Sequence, residues 1–120
     1  MMTYEQLFLV SLLITVLIET LVLIVLVRYG LRIGPKIIPT RVAIFAGVFA
    51  SFATLPYLWF VFPAFLQTRT VLMLVGEVLV FLIEAVFYVF VLRTSVKQSL
   101  ILSFCCNLAS FFLGLLIFSL

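Results

Sequence analysis

The sequence predicts an all-α integral membrane protein: a four-transmembrane-helix bundle built from two tandem parallel-repeat helical hairpins within a single domain, 1–120. Three observations carry that expectation. Of the 120 residues, 68% are hydrophobic and only 9% are charged, a balance that soluble domains do not show. Four apolar runs are each long enough to cross roughly 30 Å of hydrocarbon at about 1.5 Å per residue. Two glutamates, Glu19 and Glu84, sit inside such runs in nearly the same phrase, Leu17-Ile18-Glu19-Thr20 and Leu82-Ile83-Glu84-Ala85.

The runs read as helices over Leu7–Val27, Val42–Val61, Val71–Leu92 and Ser99–Ser119. The first has no basic segment or small-residue cleavage site beside it, so a retained helix is expected rather than a secretory signal. Arg28, Arg32, Lys36 and Arg41 fall in loop 28–41, Arg93 and Lys97 in loop 93–98, and Arg69 alone in the remaining loop. By the positive-inside rule both basic loops face the cytoplasm and both termini lie outside. Small size and the lack of sorting tails suggest a prokaryotic plasma membrane.

Aromatic positions fit this orientation. Trp59 lies 18 residues beyond Arg41, about 27 Å along a helix, at the outer interface where Trp is favoured. Tyr4 and Tyr57 suit the same level and Tyr29 the inner one. In the first basic loop, Gly30, Gly34-Pro35 and Pro39-Thr40 favour turns over continued helix. Leu31, Ile33, Ile37 and Ile38 interleave with its cations, as in a segment lying on an anionic leaflet. A plain topogenic loop is the preferred reading.

The repeat extends beyond the glutamates. A shift of 65 residues lays Glu19 on Glu84 and Arg28 on Arg93; a shift of 56 lays Arg41 on Lys97, Gly47 on Ser103, Ser51 on Asn107 and Thr54 on Ser110. The two units, about 7–62 and 71–119, run in the same direction, which makes them parallel repeats about an axis along the membrane normal. They have diverged. Pro56 matches Phe112, and Glu77 matches the apolar Leu12.

Counting from the basic residues gives depth. Glu19 and Glu84 lie about 13–14 Å from their arginines, and Ser51 and Asn107 about 15 Å from Arg41 and Lys97. Polar residues from all four helices therefore meet near the midplane, with Thr54 and Ser110 one turn further out. Ser103, Asn107 and Ser110 form one stripe on helix 4, and Gly47, Ser51 and Thr54 the matching stripe on helix 2. On helix 3, Glu77, Glu84 and Tyr88 share a face. Small residues at Ala43, Ala46, Gly47 and Ala50 allow close helix approach.

An ionisable group at the centre of a membrane helix costs roughly 2.5–3.5 kcal/mol and marks a functional site by default. The expected ion- or substrate-binding set is Glu19, Glu84, Asn107, Ser51, Glu77, Thr54 and Ser110. No Lys or Arg lies at their depth to hold a carboxylate ionised, so the acids would exchange a proton for a cation, with the amide and hydroxyls supplying neutral oxygens. Glu77, about 10 Å nearer the outside, would be a stepping stone. The leading expectation is a proton- or cation-coupled transporter or ion-conducting protein. Its partners would be the bilayer, a proton, a monovalent cation or a small cationic substrate, and a second copy of the chain or a larger membrane complex. No nucleic-acid partner is expected.

Absences narrow the alternatives. The chain has no His and no Asp, which removes His-ligated cofactors and every imidazole-dependent triad. Cys105 and Cys106 are adjacent in helix 4 and read as packing residues. No cofactor, metal or enzymatic activity is expected, and a lipid-active enzyme is the least favoured class. Two rivals remain. The glutamates could hydrogen-bond across helices, as Glu19–Asn107 and Glu84–Ser51, and do nothing more. Alternatively, the chain is an accessory or assembly subunit whose glutamates pair with a partner's Arg or Lys.

Size, four helices and a glutamate in helix 1 superficially resemble the small multidrug resistance transporters, which exchange protons for cationic drugs. The resemblance covers Glu19 and little else. That family carries one membrane glutamate per subunit, commonly after Ala, whereas Ile18 precedes Glu19 and Glu84 repeats it. The family's glycine motif in helix 3 has no counterpart beyond Gly76. The chain is not assigned to that family.

Overall fold

Polar caps, rather than the first apolar residue, set where two of the helices begin. Thr3 Oγ1 accepts from the Gln6 amide at 3.2 Å and Gln6 Oε1 accepts from the Thr3 amide at 3.0 Å. Ser95 and Gln98 repeat this reciprocal box with two bonds of 3.1 Å. Each box satisfies helix-end N–H groups that would otherwise be orphaned. The helices consequently start three residues before the apolar runs, with polar first turns.

The structure is a computed structural model that describes residues 3–61 and 68–119. Position 62, the sequence-based end of the first repeat, and the burial of Arg69 and Gly114 lie outside the described set. The fold is all-helical: α1 spans Tyr4–Val25, α2 Thr40–Pro56, α3 Arg69–Val91 and α4 Val96–Ser119. Two π turns, Leu26–Gly30 and Tyr57–Val61, extend α1 and α2. Pro56 lacks the N–H that would continue the regular ladder, and the second π turn follows it directly. Four helical segments, Tyr4–Gly30, Thr40–Val61, Thr70–Val91 and Val96–Leu113, are long and apolar enough to cross a membrane. Those of α1 and α3 have mean hydropathies of 2.9 and 2.4, those of α2 and α4 only 1.7 and 1.4. The difference reflects the polar stripes on the second pair.

The helices follow one another around a ring. α1 packs on α2 and α4, α3 packs on α2 and α4, and α1 faces α3 across the centre. On α2, Ala43, Ala46, Gly47, Ala50, Ser51 and Thr54 are all buried, while Phe45, Phe49 and Phe52 point outward. On α1, Leu9, Leu13, Leu17 and Leu21 are exposed every fourth residue, and Leu12, Glu19 and Leu23 are buried. A periodicity of about 3.6 thus selects the inner face, but the outer face is the more apolar one, as a lipid-facing surface requires.

Gly47 brings α1 and α2 closest. A Cβ placed there would lie 2.9 Å from Thr20 Cα and 2.5 Å from Thr20 Oγ1. Tyr4 and Phe8 on α1 meet Trp59 and Phe60 at the far end of α2, with ring centroids 4.8–5.9 Å apart. This aromatic end lies opposite the basic loops, as the spacing of Trp59 from Arg41 implies. At the basic end, Leu23, Val27, Ile38, Ala43, Ala46, Ala50, Tyr88, Leu92 and Leu102 form a continuous apolar plug.

The first basic loop is part of that plug. Ile38 is buried and Leu31 and Ile33 pack against the plug, so three of the four interleaved apolar residues turn into the bundle; Ile37 alone is exposed. Arg28 holds the loop by donating to the Ile33 and Ile38 carbonyls at 3.0 and 2.7 Å and to Thr40 Oγ1 at 3.1 Å. Charge-assisted bonds of this kind contribute roughly 1.5–3 kcal/mol each at most. Arg28→Ala is expected to release the loop without opening the bundle. Amide exchange at Ile38, Val42 and Ala43 should accelerate at least about tenfold, the equivalent of about 1.4 kcal/mol; unchanged protection would mean the loop is held by packing alone.

The basic residues used as depth marks are not geometric equivalents. Arg28 sits inside a π turn, whereas Arg93 follows the C-cap of α3 in the left-handed region with φ 57°. The residue with Arg93's geometry is Arg32, at φ 56° after Leu31. The first helical rod therefore runs about one turn further past its glutamate than the third does.

Candidate functional site

Glu19 on α1 and Glu84 on α3 project from opposite corners of the ring into its centre, where they are 2% and 0% exposed. Their carboxyl groups are close enough to interact. A carboxylate only accepts, so a bond between the two forms when one of them carries the proton.

The surrounding helices present neutral donors. Asn107 Nδ2 donates to Glu84 Oε1 at 2.7 Å, and Thr54 Oγ1 donates to Glu84 Oε2 at 3.2 Å. Ser51 Oγ donates to Glu19 Oε2 across a longer 3.4 Å, and Glu19 Oε1 has no hydroxyl or amide partner. Glu84 is thus held from two helices, and Glu19 is held weakly from one. Among the described residues no cluster of three or more His, Cys, Asp or Glu is arranged to hold a metal ion.

The sequence-based set separates into three groups. Glu19, Glu84, Ser51, Thr54 and Asn107 meet at the centre. Ser110 is half-buried and donates to the Asn107 carbonyl of its own helix at 3.1 Å. Glu77 is half-buried and lines a groove between α3 and α4 that also reaches Asn107. The pairing differs from the expected Glu19–Asn107 and Glu84–Ser51. Glu19 is instead bonded to Ser51 and Glu84 to Asn107, each within its own hairpin, and Glu84 also accepts from Thr54 of the other hairpin.

Two further side chains belong to this centre. Tyr88 is fully buried one turn from Glu84, and its hydroxyl lies beside the Cys106 thiol with no nitrogen or oxygen partner. Cys106 Sγ in turn donates to the Glu19 backbone carbonyl at 3.6 Å. Tyr88 is legible in the sequence only as a face-mate of Glu84. For Cys106 nothing but its place beside Asn107 signals the contact.

All three donors have a second acceptor on their own helix. Ser51 Oγ bonds the Gly47 carbonyl at 3.2 Å, Thr54 Oγ1 the Ala50 carbonyl at 2.8 Å, and Asn107 Nδ2 the Ser103 carbonyl at 2.8 Å. The donors are therefore satisfied whether or not a carboxyl oxygen is present. No protein-family model, curated protein or solved structure matches the chain.

Proposed function

We propose that the chain is a proton- or cation-coupled transporter or ion-conducting protein of the membrane, with Glu19 and Glu84 as its exchanging site. The observation that carries this reading is the facing pair of buried carboxyls surrounded by neutral donors that keep their own backbone partners. Such a pair gives up or takes on one positive charge without stranding a neighbouring donor. Removing charge from water is costly, and an acid pair placed where a hydrophobic core would suffice points to use. The chemistry needs no cofactor and no bond making, so the proposal is of a non-enzyme.

The doubled hairpin belongs to the same proposal. Glu19–Ser51 and Glu84–Asn107 are corresponding contacts, and Leu31-Arg32 and Leu92-Arg93 end their helices alike. With both basic ends in the cytoplasm of a prokaryotic cell, the apolar plug separates the pair from the cytoplasm and the Glu77 groove lies on the outward half. A homodimer would supply the remaining wall of a pathway that four helices enclose poorly.

The accessory-subunit reading narrows to one residue. Glu19 and Glu84 are sealed inside the chain, so of the three membrane acids only Glu77 opens on a surface that a partner's Arg or Lys could reach.

Flux in sealed proteoliposomes tests the proposal. Native protein is expected to move protons or Na⁺ down an imposed gradient, and Glu19→Gln and Glu84→Gln to reduce that movement to the level of empty vesicles with unchanged elution on size exclusion. Native flux that survives both substitutions, or no flux under either gradient, would overturn it.

A further inference from the structure

The carboxyl pair does not account for the groove between α3 and α4. Its volume is about 580 Å³, within the roughly 300–1,000 Å³ of pockets that hold drug-sized molecules. Met73, Phe81, Phe104 and Phe111 make apolar and aromatic walls, and Glu77, Asn107 and, at the start of α3, Thr70 are the polar residues among the lining. Phe81 and Phe104 meet edge to face at 6.1 Å at the end nearer the basic loops. Leu74, Val78 and Leu82 on the rim are exposed, so the groove opens sideways, where the lipid would be.

Glu77 and Asn107 offer this groove acceptors, and Thr70 adds a hydroxyl at the start of α3. Asn107 has committed its amide N–H groups to Glu84 and Ser103, leaving only its carbonyl oxygen. The Glu77 carboxyl makes no hydrogen bond to another described residue. A carboxyl set in an apolar wall, backed by Glu84 two turns away, repels anions and leaves a neutral acyl chain with an unpaired acid beside it. A bare metal ion would leave most of the volume unfilled. An organic cation satisfies every element at once: its charge pairs with Glu77, its apolar body fills the groove, and the aromatic faces attract it further.

We propose that the α3–α4 groove is a lateral binding site for a lipophilic organic monocation, with Glu77 as its counter-charge, Phe81, Phe104 and Phe111 as its aromatic walls, and Asn107 as its link to Glu84. Through Asn107, which touches both, occupancy of the groove bears on the central pair. The proposal deepens the transport reading by naming a substrate class, and it rests on that reading only for the steps after binding.

Binding is measured by equilibrium dialysis of radiolabelled benzyltriethylammonium against the purified full chain in non-ionic detergent, with its uncharged quaternary-carbon analogue as the matched probe. The cation is expected to bind at least about tenfold more tightly than the analogue, in keeping with a desolvated charge pair and cation–π contact. Glu77→Gln should remove that preference. Val78→Trp, on an exposed rim position that leaves the core untouched, should block both probes. Equal binding of cation and analogue, or an unchanged preference in Glu77→Gln, would overturn the assignment. Selective binding without any vesicle flux would retain the site and remove the transport reading; proton flux without selective binding would do the reverse.

Discussion

Gly47→Ala is expected to destabilise the bundle, although alanine is the better helix former by about 1 kcal/mol. The added Cβ would lie 2.9 Å from Thr20 Cα and 3.1 Å from Thr20 Cβ. Backbone cannot rotate out of the way, so α1 and α2 must part, and overpacking of this kind costs roughly 1–3 kcal/mol. The clash offsets the propensity gain, for a net loss of up to about 2 kcal/mol. The consequence reaches the site. Gly47 is one turn from Ser51, and Thr20 adjoins Glu19, so parting these helices stretches a Ser51–Glu19 bond already 3.4 Å long. Thermal unfolding in detergent, followed by size exclusion, checks the expectation. Thr20→Ala in the same chain should restore only part of the loss, because it removes Oγ1 but leaves Cα and Cβ in place. A Gly47→Ala melting temperature at or above the native one would show that the two helices are not in contact there.

Glu84→Leu is expected to stay folded and to lose the flux proposed for the native chain. The two effects separate because the neighbours of Glu84 do not depend on it. Thr54 keeps the Ala50 carbonyl and Asn107 keeps that of Ser103. Polar contacts inside membranes average about 0.6 kcal/mol each, so losing two costs about 1 kcal/mol. Stability within about 1 kcal/mol of native is therefore anticipated, with flux at background in proteoliposomes. Unfolding of Glu84→Leu with native behaviour in Glu84→Gln would instead make the residue interhelical glue. Glu19→Leu should be still better tolerated, since Ser51 is its one side-chain donor and bonds the Gly47 carbonyl as well.

Much of this architecture is legible in one chain of letters because hydrocarbon leaves so few choices. Four apolar runs long enough to span read as four helices, since a spanning backbone would have to satisfy its own hydrogen bonds. Glu19, Glu84, Ser51 and Asn107 could be placed at one level because helical rise converts residue counts into depth. The small residues of α2 announced a close approach. The starts of α1 and α4 were less legible, because Thr3–Gln6 and Ser95–Gln98 are polar and an apolar count passes over them. The equality of Arg28 and Arg93 misled, since a π turn and an extra helical turn separate two residues at the same count from their glutamates.

The sequence by itself determined four helices, inner polar stripes on the second and fourth, and the level at which these meet Glu19 and Glu84. Those follow from hydropathy and a fixed helical repeat, which are local properties of the chain. Tertiary structure decided which stripe residues touch: Glu19 with Ser51, Glu84 with Asn107 and Thr54, Tyr88 with Cys106, and Ser110 with its own helix. It also set Glu77 apart from the central pair, on a groove of its own. Depth is one coordinate, but contact also needs the rotation of each helix and the order of helices around the ring. Both are fixed by side-chain packing between segments distant in the chain, such as Gly47 against Thr20.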